Sequence, residues 1–301
     1  DLLLSVQIKK EPFADKLYLT NQAESHENST VNQSLLQNDI VQIEITEPVL
    51  TIQKGVVASD GPNAVFSPTT VAPAGISFQP GSCPNFNGNV LSSTSLAANP
   101  IDSNLRGVDA GDTVTFAVVV ENTGSGVNGA FDVAVSDLLA SGTSYVDNSL
   151  CVQDGTGAAI AYTGDDADFF GTGITLNDPG PTASPAGALD PYDADSGRNI
   201  ALITYDVTLD ASVDAHQVLT NTATLENYAG SENGDNFATP DQTDDAQVTT
   251  ASPSVLKGLL GTEVNTAHND NTHAVIGELV TYQVTITLPE GVTTGVSVVD
   301  T

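Results

Sequence analysis

Basic side chains are what this sequence has least of: seven Lys and Arg stand against 38 Asp and Glu, a formal net charge of −31. Nothing in it can neutralise a row of phosphates, which excludes nucleic-acid binding. The same shortage excludes electrostatic docking on anionic lipid. No apolar run is long enough to cross a bilayer. No charged-then-apolar start marks a signal peptide, so a chain opening on Asp1 is expected to have lost its true N-terminus or to have it elsewhere. Tryptophan and methionine are absent. So is helical periodicity, since no stretch of a dozen residues spaces its apolar side chains three and four apart. The signatures of metabolic catalysis are missing as well. His26, His216, His268 and His273 are scattered, with no cysteine or acid at zinc spacing. No Gly-rich phosphate loop opens a helix, and no Gly-x-Ser-x-Gly elbow lies between a strand and a helix.

What remains is Gly, Ala, Thr, Asn, Asp and Val, the usage of a secreted β protein with many turns. Strict alternation is the main local signal. Val114, Phe116, Val118 and Val120 fall on one face of a run, and Val280, Tyr282, Val284 and Ile286 repeat the pattern. Further strands are expected at Leu2–Ile8, Ile40–Ile45, Val49–Ile52, Phe131–Val135, Ala201–Leu209, Asn221–Glu226 and Ala246–Thr249. Many short strands separated by Gly, Pro and Asn turns indicate an all-β, immunoglobulin-like antiparallel β-sandwich with long loop insertions. One insertion, Asp60 to Asn104, has no counterpart near the end of the chain, and a second loop-rich region runs from Asp154 to Asn199. The two cysteines, Cys83 and Cys151, favour a disulfide in a secreted chain, the alternative being two unpaired thiols.

The chain also repeats itself out of phase. Leu19-Thr20-Asn21-Gln22-Ala23 returns 200 residues later as Leu219-Thr220-Asn221-Thr222-Ala223. Ile52-Gln53-Lys54-Gly55 returns 203 residues later as Val255-Leu256-Lys257-Gly258. Between these landmarks, Gly111-Asp112-Thr113-Val114-Thr115-Phe116 leading to Asp137 is matched by Gly277-Glu278-Leu279-Val280-Thr281-Tyr282 leading to Asp300. The order is Lys, Gly-acid, Asp, Asn; the start holds only the last of these and the end only the first three. The expected organisation is therefore tandem modules: the late part of one in 1–47, a complete one in 48–250 and the early part of a third in 251–301. Such fragments are too small to bury a core alone, so each end is expected to need a neighbour.

Lys54 is the sole lysine of the middle module and Lys257 that of the third, each closing an apolar strand-like run. A lysine placed so in two copies of a lysine-poor chain is a candidate buried amine. Burial depresses its pKa and leaves it nucleophilic. With the Gly-acid-x-Val-Thr-aromatic strand, the closing Asp and Leu-Thr-Asn-Thr-Ala-Thr, the pattern resembles the fimbrial isopeptide-forming domain family. It resembles equally the related repeat domain of large bacterial and archaeal surface proteins. The resemblance implies Lys54 as nucleophile, Asn221 as electrophile and Asp137 as the buried acid of a single-turnover crosslink that releases ammonia. It further implies that Lys257 and Asp300 await an asparagine, and that Asn21 awaits a lysine. The residues alone admit a plainer assignment, in which Asn221 bonds a turn, Lys54 pairs with a carboxylate and Asp137 caps a strand end.

Acidic clusters are the remaining candidates. Asp193 and Asp195 with Gly197, near Asp190, offer the alternate oxygen ligands of a Ca²⁺ loop without an EF-hand's distal glutamate. The other clusters are Asp165, Asp166 and Asp168, and Asp235, Asp241, Asp244 and Asp245; solvated loops are the plainer assignment for all of them. The expected function is structural and extracellular: a segment of a prokaryotic surface stalk, filament or fimbria-like fibre, not a turnover enzyme, whose partners are neighbouring repeats or copies of itself. A calcium-dependent adhesin with a surface or glycan ligand is one alternative. A subunit whose partial end modules complete each other by strand addition is the other.

Overall fold

A computed structural model of the chain describes residues 3–9, 15–28, 34–81, 83, 85–263 and 273–301. It is almost entirely β. A hairpin of β1 (Tyr18–Asn28) and β2 (Ser34–Glu44) comes first, and a hairpin of β17 (Ser254–Thr262) and β18 (Val280–Thr287) comes last. Between them lie β3 (Leu50–Ser59), β4 (Val65–Ser67), β5 (Ile76–Phe78), β6 (Phe86–Gly88), a helix α1 (Ser93–Ala98), β7 (Asn104–Val108), β8 (Thr113–Asn122) and β9 (Phe131–Leu138). They continue with β10 (Thr143–Tyr145), β11 (Cys151–Asp154), β12 (Tyr162–Thr163), β13 (Ile174–Leu176), β14 (Ile200–Leu209), β15 (Val218–Ala229) and β16 (Gln242–Thr250).

Two sheets make the sandwich. One runs β10-β14-β8-β3, with β11 also on β14; the other runs β12-β13-β9-β15-β16-β7-β4. All their pairings are antiparallel except β16 with β7. Alternation decides what lies between them. Val114, Phe116, Val118 and Val120 of β8 join Ile203, Tyr205 and Val207 of β14, Val133 and Val135 of β9, and Leu219, Ala223 and Leu225 of β15 in one core.

The other face of the first sheet is not left to water. Ala117 and Val119 of β8 and Ile200 and Leu202 of β14 form a second core with Ile76, Phe78, Phe86, Leu91, Leu96 and Ile101. The segment expected to be a loop insertion is thus a packed layer that contains β5, β6 and α1. The helix is a departure from expectation: its six residues are too few to show a period, and its start is set by reciprocal side-chain bonds between Ser92 and Ser95. Residues 3–9 form no strand and are exposed, in contrast to the alternation read over Leu2–Ile8; Leu2 itself lies outside the described residues. His268 lies outside them too.

The repeat is visible as register. Lys54 pairs with Val118 and Lys257 with Val284, each partner seven residues past the glycine of the Gly-acid motif. Those glycines, Gly111 and Gly277, adopt φ of 89° and 90°, a left-handed turn that other residues enter only with strain. Asn21 and Asn221 are each the fourth residue of the first strand of a hairpin, opposite Val41 and Ala246.

Cys83 and Cys151 form a disulfide that ties the inserted layer to β11. It closes a separation of 68 residues, for which the loss of unfolded-state freedom corresponds to about 4 kcal/mol. Replacing both cysteines by serine is expected to lower urea-unfolding stability by about that amount. Equal midpoints for the parent and the variant would contradict it.

Candidate functional site

The same alternation that builds the core puts four polar side chains into it. On β3 the inward positions are Leu50, Ile52, Lys54 and Val56. On β9, Asp137 follows Phe131, Val133 and Val135 at the same spacing. Asn221 falls between Leu219 and Ala223 on β15, and Tyr205 between Ile203 and Val207 on β14. All four are at most 3% exposed. Each occupies a place where the period calls for a hydrophobe, and isolated polar groups there are costly.

They bond to one another. The Lys54 Nζ donates to Asp137 Oδ2 and, at 2.7 Å, to the Tyr205 hydroxyl. The Asn221 Nδ2 donates to that same hydroxyl at 2.8 Å. The rings of Phe116 and Tyr205 lie 4.9 and 5.1 Å from the Nζ, and Phe170 packs edge-on against Tyr205 at 5.0 Å. The backbone is fixed as well, since the Lys54 N–H donates to Asp244 Oδ2 at 2.6 Å, joining the edge of one sheet to the other.

Desolvation governs the charges. Burial pulls the Lys54 amine below its ordinary pKa, against the opposing pull of Asp137, and pushes the Asp137 carboxyl up against the opposing pull of Lys54. Burial also raises the Tyr205 phenol, which stays protonated. Two buried oxygens, Asp137 Oδ1 and Asn221 Oδ1, have no hydrogen-bond partner. Both are acceptors when the Asp is ionised. The side chains of Tyr205 and Asn221 also donate to the Asp137 carboxyl and, with Lys54, oppose the rise in its pKa; a proton on Asp137 adds a donor to a cluster short of one. The cluster thus brings an amine with a lowered pKa, a carboxyl with a raised one, a phenol and a carboxamide into one dry pocket.

Lys54, Asp137 and Asn221 were singled out from sequence and are brought together. Tyr205 was not singled out, because a tyrosine counts as apolar in an alternating strand; its one cue is its central place in the β14 run. The segment 251–301 repeats half of the arrangement: Lys257 Nζ contacts Asp300 Oδ1 and lies 4.7 Å from the Tyr282 ring. Their side chains are 40% and 61% exposed, where Lys54 and Asp137 are at 0%. Asn21 is exposed on β1, with no hydrogen bond to Lys257 or Asp300.

The calcium candidates are engaged in local contacts. Asp193 Oδ1 accepts the Asp195 and Ser196 backbone N–H groups, and Asp195 Oδ1 accepts the Thr94 hydroxyl. Asp190 and Asp193 line one surface depression with Arg198; burial raises the Asp190 pKa, and Arg198 opposes that rise. Among the described residues, the carboxylates that do gather are Asp132, Asp178 and Glu232. Of the remaining acids, Asp166 accepts the Tyr145 and Tyr162 hydroxyls and Asp168 the Asp165 N–H, so these serve local structure.

No protein-family model and no curated protein matches the sequence. Among solved structures, the chain is similar to the D312A form of BcpA, the major pilin subunit of Bacillus cereus, at 11% identity and a TM-score of 0.37, covering 89% of this chain and 64% of that one. It is also similar to the full-length major pilin RrgB of Streptococcus pneumoniae, at 15% identity and a TM-score of 0.34, covering 83% and 40%. A further RrgB pilus backbone structure matches at 20% identity and a TM-score of 0.29, covering 40% and 43%. The matched region spans less than two thirds of each of these chains.

Asp178 gives a pH test of the acidic group. Burial raises its pKa to about 6, opposed by the N–H groups of Asp132 and Ala188 and reinforced by the charges of Glu232 and Asp132. A raised folded pKa contributes stability fully present below the ordinary 3.8 and lost as pH rises through about 6. Asp178→Asn, fixed in the neutral form, is expected to match the parent near pH 3.8 and to melt at a higher temperature above pH 6. Melting curves that coincide at every pH would contradict this.

Proposed function

We propose that this chain is a segment of an extracellular load-bearing fibre of tandem β-sandwich modules, the middle one locked by an isopeptide bond between Lys54 and Asn221. The observation that carries the reading is the sealed cluster of amine, acid and carboxamide, with Asp137 Oδ1 and Asn221 Oδ1 unpartnered beside them. The neutral Lys54 Nζ attacks Asn221 Cγ while protonated Asp137 stabilises the developing charge on Oδ1. The Cγ–Nδ2 bond breaks and ammonia leaves. The step runs once per module, as self-modification without turnover.

The product staples β3 in one sheet to β15 in the other, so the two sheets cannot separate. Load entering at β3 crosses to β15 through the bond, and the intervening strands stay out of the strained path. The benefit is in unfolding rate. The flanking segments are joined to the module in ways that pass load on: Asp15 accepts the N–H groups of Glu47 and Ser125, and Val292 exchanges backbone bonds with Val213 and Ala215. The Lys257–Asp300 pair belongs to the same scheme, its asparagine supplied by a neighbouring module or by a copy of the chain.

Intact mass decides the crosslink. The protein is expected to weigh about 17 Da less than its residues require, after the two hydrogens lost to the disulfide are allowed for; a full mass rejects the bond. Asp137→Ala is expected to keep the full mass and, by stranding a buried amine, to lose about 3–5 kcal/mol of stability.

Lys54→Met separates the bond from the electrostatics. It removes the opposing charge from a carboxyl that burial already raises, so Asp137 favours its protonated form further. With the folded pKa above the ordinary 3.8, its contribution is present below that value and lost as pH rises through the folded one. Melting temperatures of Lys54→Met are expected to fall as pH rises from 4 to 8; a rise across that range would contradict the assignment.

A further inference from the structure

One oxygen in the cluster touches both nitrogens whose protons must change. The Tyr205 hydroxyl lies 2.7 Å from Lys54 Nζ, the nitrogen that attacks, and 2.8 Å from Asn221 Nδ2, the nitrogen that departs. Amide exchange requires a proton to leave the first and arrive on the second. Direct transfer within the tetrahedral adduct passes through a strained four-membered ring. A hydroxyl placed between the two nitrogens widens that ring to six members: Cγ, Nζ, its hydrogen, the phenol oxygen, the phenol hydrogen and Nδ2. Asp137 Oδ2 accepts from Nζ, and the Tyr205 and Asn221 side chains also hydrogen-bond the Asp137 carboxyl, so the phenol hydrogen turns from that carboxyl to Nδ2 for the relay.

We propose that Tyr205 is a catalytic residue of the crosslink, relaying the proton from Lys54 Nζ to Asn221 Nδ2; this rests on the isopeptide reading above. As the Nζ–Cγ bond forms, Nζ gives one proton to the phenol oxygen. The phenol gives its own proton to Nδ2, whose lone pair is no longer delocalised into a carbonyl. The Cγ–Nδ2 bond then breaks, ammonia leaves and the phenol is regenerated. One amine and one carboxamide become one amide and one ammonia, with no charge left in the core. A phenol suits the place. It accepts and donates at once, and with Phe116, Phe169 and Phe170 stacked or edge-on against its ring it is held in one orientation.

The test follows bond formation by intact mass during cell-free synthesis of the full chain under oxidising conditions. Three forms are made: wild type, Tyr205→Phe, and a form with 3,5-difluorotyrosine placed at 205 by codon suppression. Near-UV circular dichroism checks folding. Tyr205→Phe is expected to lose its ammonia about 100-fold more slowly or not at all. Difluorotyrosine keeps the shape and the hydroxyl but is more acidic, and a rate clearly different from wild type marks proton transfer. A Tyr205→Phe chain that crosslinks at the wild-type rate overturns the relay. So does a difluorotyrosine chain indistinguishable from wild type, which reduces the hydroxyl to a positioning role; this arm decides the matter even if the phenylalanine variant fails to fold. A wild-type chain that keeps its full mass removes the crosslink reading and the relay together.

Discussion

A lysine amine sealed between two β-sheets beside a carboxyl is the constraint on which the rest of this structure turns. Moving one charge into such a site costs several kcal/mol, yet β3, β9, β14 and β15 each surrender an inward position to a polar group. The arrangement holds because the four groups bond to one another, with only Asp137 Oδ1 and Asn221 Oδ1 left unpartnered, and because proton sharing leaves the pair formally neutral. An amine and a carboxylic acid contain together the same number of protons as an ammonium and a carboxylate. The pair can therefore shift from one form to the other without exchanging protons with solvent, so a sealed pocket is no obstacle to reaching the neutral form.

Most of this was legible in the sequence, for reasons that differ by residue. Lys54 stood out because lysine is scarce and because it sits on the inward period of an apolar run. Asn221 and Asp137 were found by repetition, which fixes equivalent positions even when loops differ in length, and the matching Lys54–Val118 and Lys257–Val284 registers show that the repetition extends to strand pairing. Tyr205 was invisible to these arguments: alternation asks only whether a side chain is apolar, and a phenol answers yes while carrying a hydroxyl. Pairing Asp244 with the Lys54 backbone was equally out of reach, since it depends on how the sheets overlap at an edge.

The inserted segment shows the opposite failure, where composition misled. Its Pro, Gly, Ser and Asn content reads as loop, and much of its backbone is indeed irregular. The counter-signal lay elsewhere, in Ala117 and Val119, apolar residues on the face of β8 that a simple sandwich leaves to water. With β8 buried from Val114 to Asn122, something had to cover its second face, and Ile76, Phe78, Phe86, Leu91 and Leu96 do so. Residues 3–9 failed differently: alternation was present, but no neighbouring strand receives it. Pattern proposes a strand and a partner decides it.

The disulfide gains a distinct meaning from where it lies. Cys83 and Cys151 both fall inside the stretch bracketed by Lys54 and Asn221. If the proposed isopeptide forms, tension applied at the two ends of the module would bypass the sulfur pair. The disulfide and the proposed crosslink would then guard against different insults, the crosslink against pulling and the disulfide against loosening of the inserted layer by heat or denaturant. A thread built from such units would keep its tensile strength in a reducing environment that softened its surface.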